Sequence, residues 1–572
     1  MKINGGAVLA RALKAHDVAA VFTLHGGHLD PLFVEARNLG IAIIDTRHEQ
    51  SAGIAATGYA RATGKPGVAL ATAGGGITNL VTAVTNAYAD CVPSVFIGGA
   101  PPLSDIDALP VNSGYEQMSV MRGITKWRRQ VTDVAHIAEA VERAFHWATA
   151  GRPGPVYLEV PSDVMFALID ADSPQAACSP QTVAQPAPSP VALSAALEIL
   201  ANADRPVILA GGGVAYSSAD SALTAFAEAT GIPVLTNNKA RGAISTTHPL
   251  SAKGFSALAA ANRAGQPADA VLLLGARRGI YTGGRRTPLI PPTAAVIQVD
   301  VRAEEIGRLG TNTVGIVADA REFLLAATAA AGDHAWTDKS AWSDLLRGKS
   351  AAPTEGGQDE QITPREAAAV IASAAPADTI FVMDGGETPA WLDAVANADQ
   401  SGRWLAHGYL GIMGEGMPLA VGAQIAHPEA PVVLFTGDGA VGFNIAEFDT
   451  MVRHGLPVTV VVNNDAQWAM SSHGQDLIYG EGNRVVTDLL RTRYDVVAQG
   501  FGASGETVST PKELRAALER AFSSRKPTCI NVVTDGREIA TVTKRMMGSA
   551  AEALVSPEGR ARVPYADILE VG

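Results

Sequence analysis

Residues 431–438 read PVVLFTGD, an unbroken apolar run that stops in a glycine and a carboxylate. Residues 457–465, PVTVVVNND, repeat the form, with a helix-like segment, NIAEFDTMVRHG, between the two. Such runs suit strands covered on both faces. Strand, helix and strand in succession imply a parallel sheet with a right-handed crossover. The same alternation recurs along the chain. IAIID, GVALATA and VPSVFIGG carry it early, PVILAGGG, IPVLTNN, AVLLLGARRG and AAVIQVD in the middle, and TIFVMDGG late. Two stretches rich in Pro, Ser, Gly and Gln break the pattern at 177–190 and 348–364. The expected architecture is therefore α/β, with three doubly wound parallel-sheet domains over 1–176, 191–347 and 365–538 and a tail over 539–572. With 572 residues, of which 47% are hydrophobic and 18% charged, the chain has the apolar surface for several cores.

A net charge of -13 gives no overall basic field for nucleic acid or an anionic membrane. Cys91, Cys178 and Cys529 are scattered. They form no pair motif, which suits a reducing cytoplasm and gives no zinc or disulfide framework. The N-terminus is an amphipathic helix interrupted by Arg11 and Lys14, without the apolar core of a signal peptide. No run reaches the roughly 18 apolar residues of a spanning helix.

In parallel sheets ligands lie beyond the C-terminal strand ends. Asp438 and Asp465 both stand there. Gly437 and Gly439 let the backbone approach a ligand closely, and a helix from about Asn444 offers free amides to an anion. A carboxylate facing a phosphate is repelled unless a cation lies between them. Asp438, Asp465 and a backbone carbonyl near Gln467 supply oxygen ligands for Mg²⁺ shared with a diphosphate.

Gly437-Asp438-Gly439, 24 residues and then Asn464-Asp465 resembles the cofactor motif of the thiamine diphosphate-dependent enzymes of the acetolactate synthase and pyruvate decarboxylase type. In that motif the last position is usually Asn, and Ser often stands where this chain has Ala440. The resemblance spans nearly the whole chain. It implies a pyrimidine-binding first domain, a Rossmann-like middle domain, a diphosphate-binding third domain, and thiamine diphosphate with Mg²⁺ as cofactors. Glu49, in IIDTRHEQSAG, matches the acid that exchanges a proton with the aminopyrimidine, taken from a neighbouring subunit. Met413 matches the apolar support of the bent cofactor. Gly385 and Gly386 match the loop over the diphosphate. Gly27, Thr72, Asn79, Gly411, Ala440, Trp468, Ala469 and Met470 complete the implied cofactor set.

The patterns most similar are those of benzaldehyde lyase and the 2-hydroxyacyl-CoA lyases, through FTLHGGHLDPLF, GVALATAGGGITN, GPVYLEVP and AHGYLGIMG. His28 matches a histidine that moves the substrate hydroxyl proton, a role suited to its pKa. Gln117 matches an active-site glutamine, and His407 joins the implied catalytic set. Pro389, Ser162 and Gly474 stand where benzaldehyde lyase carries aromatic residues. Arg277 is shared with many relatives, while Arg278, Arg285 and Arg286 concentrate positive charge suited to the phosphates of an ADP moiety. Glu481 lies in the segment that flanks substrate in relatives, and Lys544, Arg545, Arg560 and Arg562 make the tail a candidate lid. The expected function is cleavage of a 2-hydroxyacyl-CoA to an aldehyde or ketone plus formyl-CoA. The alternatives are a benzaldehyde-lyase-like acyloin lyase and carboligase, and an acetolactate synthase-like enzyme. His25 and His28 argue against the last, and Glu49 argues against a scaffold without turnover. Sites between subunits imply a homodimer or homotetramer acting on a small molecule.

Overall fold

The computed structural model describes residues 1–282, 284, 289–311, 313–348, 360–544, 546 and 547. The first domain holds β1 (Lys2–Asn4), β2 (Ala20–Thr23), β3 (Ala42–Asp45), β4 (Gly67–Ala71), β5 (Ser94–Ala100), β6 (Trp127–Gln130), β7 (Pro155–Pro161) and β8 (Leu168–Asp170). The middle domain holds β9 (Pro206–Ala210), β10 (Val234–Thr236), β11 (Ser251–Gly254), β12 (Ala270–Leu274), β13 (Ala295–Asp300) and β14 (Val314–Val317). The third holds β15 (Ile380–Asp384), β16 (Trp404–Ala406), β17 (Val432–Gly437), β18 (Thr459–Asn464), β19 (Ser504–Val508) and β20 (Thr528–Val533).

Each domain builds one six-stranded sheet, in the orders 3-2-4-5-7-6, 11-10-9-12-13-14 and 16-15-17-18-20-19. β1 and β8 form a small antiparallel pair outside them. Within the three sheets the pairings are parallel, with helices between the strands, so the expected three-domain α/β architecture holds. Each sheet has a reversal of strand order that opens a crevice, between β2 and β4, β9 and β12, and β15 and β17; the first and third sheets reverse again at their far edges, where β7 precedes β6 and β20 precedes β19.

The helix expected from about Asn444 is divided. The chain turns helical directly after Gly437, over Asp438–Val441, and again over Glu447–Arg453. Asp438 itself therefore opens the helix at the sheet edge.

First and third domains share one hydrophobic core, in which Ile54, Ala55 and Leu80 meet Leu419, Ala420 and Leu434. Helix Glu49–Thr63 lies against helix Gly416–Ala426. Their approach requires glycine: a Cβ on Gly422 would fall 2.0 Å from the Ala55 carbonyl oxygen, and one on Gly58 2.7 Å from that of Leu419.

Glu415, just before helix Gly416–Ala426, is fully buried in this interface. Its Oε2 accepts a hydrogen bond from Asn86 of the first domain at 2.8 Å, while Oε1 is buried without one. Burial pushes its carboxyl up to about 8; Arg61 opposes this, and Asp384 and Asp90 reinforce it. The folded chain therefore keeps a proton that the unfolded chain releases near 4.5, and stability is lost as pH rises through that window. Glu415→Gln retains the Asn86 bond and removes the loss. The variant is expected to melt above the wild type at about pH 9, with the gap closing by about pH 5. An equal offset at both pH values would mean that Glu415 does not titrate in the folded protein.

Candidate active site

The crevice between β15 and β17 leads into a cleft lined by Gly385, Gly386, Met413, Gly437–Ala440, Asp465 and Gln467–Met470. Gly385 sits at φ +107, a left-handed conformation that glycine adopts without strain. Asp384 fixes this floor, its carboxylate accepting backbone N–H groups from Gly385, Gly414 and Gly416 at 2.7, 3.2 and 2.8 Å. The anchored loop carries Met413, whose side chain is partly exposed over the cleft. A Cβ on Gly439 would strike the Trp468 ring at 2.5 Å, and one on Gly386 would meet Met470 at 2.7 Å. Glycines therefore keep the cleft open.

Asp438 and Asp465 are buried, and among the described residues neither pairs with Lys or Arg. Asp438 accepts N–H groups from Gly439 and Ala466, both at 2.8 Å. Burial and the neighbouring Asp465 push the Asp438 carboxyl up to about 7, against those hydrogen bonds. Burial pushes Asp465 up to about 6. Two buried like charges without a cation are costly, and a divalent ion with oxygen preference removes that cost. Gln467 has its side chain engaged: Oε1 accepts from Arg484 at 2.7 Å, and Nε2 donates to the Gly536 carbonyl at 2.8 Å. Its backbone carbonyl is the ligand it can offer. The donor set, the open glycine cradle and the helix start at Asp438 together fit a cation carrying a diphosphate.

A second group gathers at the first-domain crevice. Glu49 is buried at the start of helix Glu49–Thr63, and its Oε2 accepts from Asn79 Nδ2 at 2.9 Å. His28 Nδ1 lies 2.8 Å from Thr72 Oγ1, and burial lowers its pKa. The His28 side chain packs onto β5 only because position 99 is glycine, where a Cβ would come within 2.6 Å. Gly27 is exposed beside it. Gln117 is buried and its amide is committed: Nε2 donates to the Gly99 carbonyl at 3.0 Å and Glu159 Oε2 at 2.7 Å, and Oε1 accepts from Gly74 N at 2.7 Å. It braces the turn at Gly74 that opens helix Gly75–Asp90.

These two groups do not line one cleft within the chain: no first-domain residue borders the cleft around Asp438. Other expected residues stand apart. His407 is outside the cleft, mostly buried after β16, with Nδ1 lacking a hydrogen bond. Glu481 is exposed and lines a neighbouring cavity with Asp465, Gln467 and Arg484. Gly411 is exposed at φ +65, near but not lining the cleft. Arg278 donates to the Thr311 carbonyl at 3.5 Å. Arg277 lies over the Tyr409 ring, 4.6 Å from its centroid, and beside Cys91 Sγ at 3.4 Å. Arg285, Arg286, Arg545, Arg560 and Arg562 lie outside the described residues. A Cβ on Gly474 would come within 3.0 Å of Met547, so the described start of the tail occupies the room an aromatic residue would take there.

Sequence reading passed over Glu387 and His473. Both are buried, with Glu387 Oε1 and His473 Nδ1 3.0 Å apart, and Glu387 lines the cleft. The acid directly after Gly385-Gly386 was the available signal, but its histidine partner is 86 residues distant.

Residues 3–125, 193–327 and 384–532 match, in turn, the families described as thiamine pyrophosphate enzyme, N-terminal TPP binding domain, central domain and C-terminal TPP binding domain. The chain is 33% identical to an acetolactate synthase large subunit of Mycobacterium tuberculosis, over 93% of this chain and 96% of the relative. It is 31% identical to 2-hydroxyacyl-CoA lyase 2 of Caenorhabditis elegans, over 94% and 91%. It is also 31% identical to an oxalyl-CoA decarboxylase of Escherichia coli, over 95% and 97%.

Asp438→Asn tests the cation site without activity. Mg²⁺-dependent binding of thiamine diphosphate, followed by calorimetry, should weaken about 100-fold or more, at least what the loss of a ligand's supporting partner does. The same variant removes one of two like buried charges, so the metal-free protein should melt no lower than the wild type. Unchanged binding would remove Asp438 from the ligand set.

Proposed function

The chain belongs to the thiamine pyrophosphate enzyme family, and we propose that it is a Mg²⁺-dependent carbon–carbon lyase cleaving a 2-hydroxyacyl-CoA to an aldehyde or ketone plus formyl-CoA. The observation that carries the enzymatic reading is a pair of complementary half-sites. One holds two buried carboxylates in need of a cation, and the other a buried glutamate. Because they do not share a cleft within the chain, we propose that they close against each other between copies, in a dimer or tetramer.

Asp438, Asp465 and the Gln467 carbonyl would hold Mg²⁺, the backbone around Gly385, Gly386 and Gly437–Ala440 the diphosphate, and Met413 with Trp468–Met470 the rings. When bound, thiamine diphosphate supplies the carbanion-stabilising centre. Glu49, its carboxylate held in place by Asn79, would exchange a proton with the aminopyrimidine ring nitrogen of the bound cofactor. His28, neutral at working pH through its lowered pKa and held by Thr72 at Nδ1, presents Nε2 to the substrate hydroxyl. Gln117 acts as a positioning residue, holding the Gly74 turn beside Glu49.

Support for a CoA thioester is twofold. Two of the relatives are named for CoA compounds, a 2-hydroxyacyl-CoA lyase and an oxalyl-CoA decarboxylase. In addition, the middle-domain crevice forms a cavity lined by Gly212, Gly213 and Arg277, a cation suited to nucleotide phosphates, together with Lys239 and Arg152, which pair with Asp90 and Glu305 at 2.8 and 3.0 Å. A second reading, acetolactate synthesis, is favoured by the relative of that name.

Glu49→Gln should bind thiamine diphosphate while kcat falls about 10²–10⁴-fold, the range of a lost general acid–base group; full turnover would leave Glu49 a structural carboxylate. Substrate class follows from mass spectrometry of parallel incubations with 2-hydroxyisobutyryl-CoA, benzoin and pyruvate. Formyl-CoA with acetone is the expected product. Benzaldehyde from benzoin or acetolactate from pyruvate, with the thioester intact, would replace the CoA reading.

A further inference from the structure

Three ligand-bearing side chains from distant stretches meet on the first domain, outside both half-sites. His16 caps the C-terminus of helix Gly5–Ala15, Glu142 lies on helix Ile137–Thr149, and Cys178 follows the short helix Pro174–Ala176. One ligand atom from each lies within 4.8 Å of the other two. His16 Nε2 and Glu142 Oε2 are 3.0 Å apart, and their side chains are only 10% and 17% exposed. Both atoms are sealed from solvent, yet neither makes a hydrogen bond of acceptable geometry. They stand at ion-pair distance but at an angle poor for a hydrogen bond, so a third group between them would complete both.

Each side chain is also held from behind. The His16 ring stacks on Phe145, with centroids 4.1 Å apart and an interplanar angle of 8°. Glu142 Oε1 accepts the Gln181 N–H at 3.0 Å. Cys178 packs against the first-domain core. Supporting contacts of this kind orient metal ligands.

We propose that His16, Glu142 and Cys178 form a zinc site, with water completing the tetrahedron, that clips the segment after the first domain onto its helices. A nitrogen, oxygen and sulfur set suits zinc and disfavours Mg²⁺ or Ca²⁺. A neutral His16 ring would offer the Nε2 lone pair to the ion. As the sulfur–zinc bond forms, the Cys178 S–H bond breaks and its proton passes to solvent. The carboxylate and thiolate then cancel the two charges of the ion, so the half-buried cluster is neutral overall. The site does not depend on the reaction proposed above.

The full-length protein, freed of metal and loaded with Co²⁺, gives the decisive spectrum. A thiolate-to-cobalt charge-transfer band is expected in the wild type and absent in Cys178→Ser, which should keep Mg²⁺-dependent thiamine diphosphate binding unchanged. With zinc, elemental analysis should find one more equivalent in the wild type than in that variant. Alkylation of Cys178 by iodoacetamide, followed on its peptide in the wild type, should slow about tenfold or more when zinc is added. Equal zinc in wild type and variant, no thiolate band, or alkylation indifferent to zinc would each overturn the site and leave a His16–Glu142 ion pair beside a thiol.

Discussion

The contact between helix Glu49–Thr63 and helix Gly416–Ala426 governs much of this molecule. At Gly58 and Gly422 backbone nearly touches backbone, so first and third domains share a single core. Interiors pack at crystal-like density, and such a contact does not stretch. Glu49 stands at one end of the first of these helices, and the loop carrying Met413 runs into the second. One rigid junction thus fixes the bearing of both half-sites, while leaving the cleft around Asp438 bordered by the third domain alone.

Buried carboxylates inside the third domain differ in kind: some are braced by backbone N–H groups alone, and others face a like charge with no Lys or Arg partner among the described residues. Asp384 belongs to the first kind. It is pushed up to about 6 by burial, against three N–H donors that keep the Gly385 loop and the Met413 loop together. Asp438 and Asp465 belong to the second, with too few partners for their charge. Glu387 takes a different course, pairing with His473. His473 Nε2 in turn lies 2.9 Å from the Gly536 carbonyl, which also accepts from Gln467, so the loop after β18 is tied to the chain beyond the last strand.

The apolar runs made the three sheets legible from sequence, because strands buried on both faces are built mostly of apolar residues. The Gly-Asp-Gly and Asn-Asp endings were legible too, since strand ends at a sheet edge are where a local motif alone fixes position. Gln117 shows the limit. The resemblance marked it as an active-site glutamine, while the structure shows its amide engaged by Gly74, Gly99 and Glu159, partners on separate elements that no periodicity joins. Cys178 shows it more sharply. Scattered cysteines suggested no metal framework, whereas folding brings His16 and Glu142 to it from more than thirty residues away on either helix.

By itself, then, the sequence determined the fold class, the three sheets, and the carboxylates at the strand ends, because hydrophobic period and local turn chemistry act over a few residues. Only the tertiary structure decided which half-site each residue joins, that the two half-sites open separately within one chain, and how Gln117, Glu387 and His16 are partnered. Those outcomes rest on close packing and on the pairing of buried polar groups between elements far apart in the chain, and such pairings leave no period in the sequence.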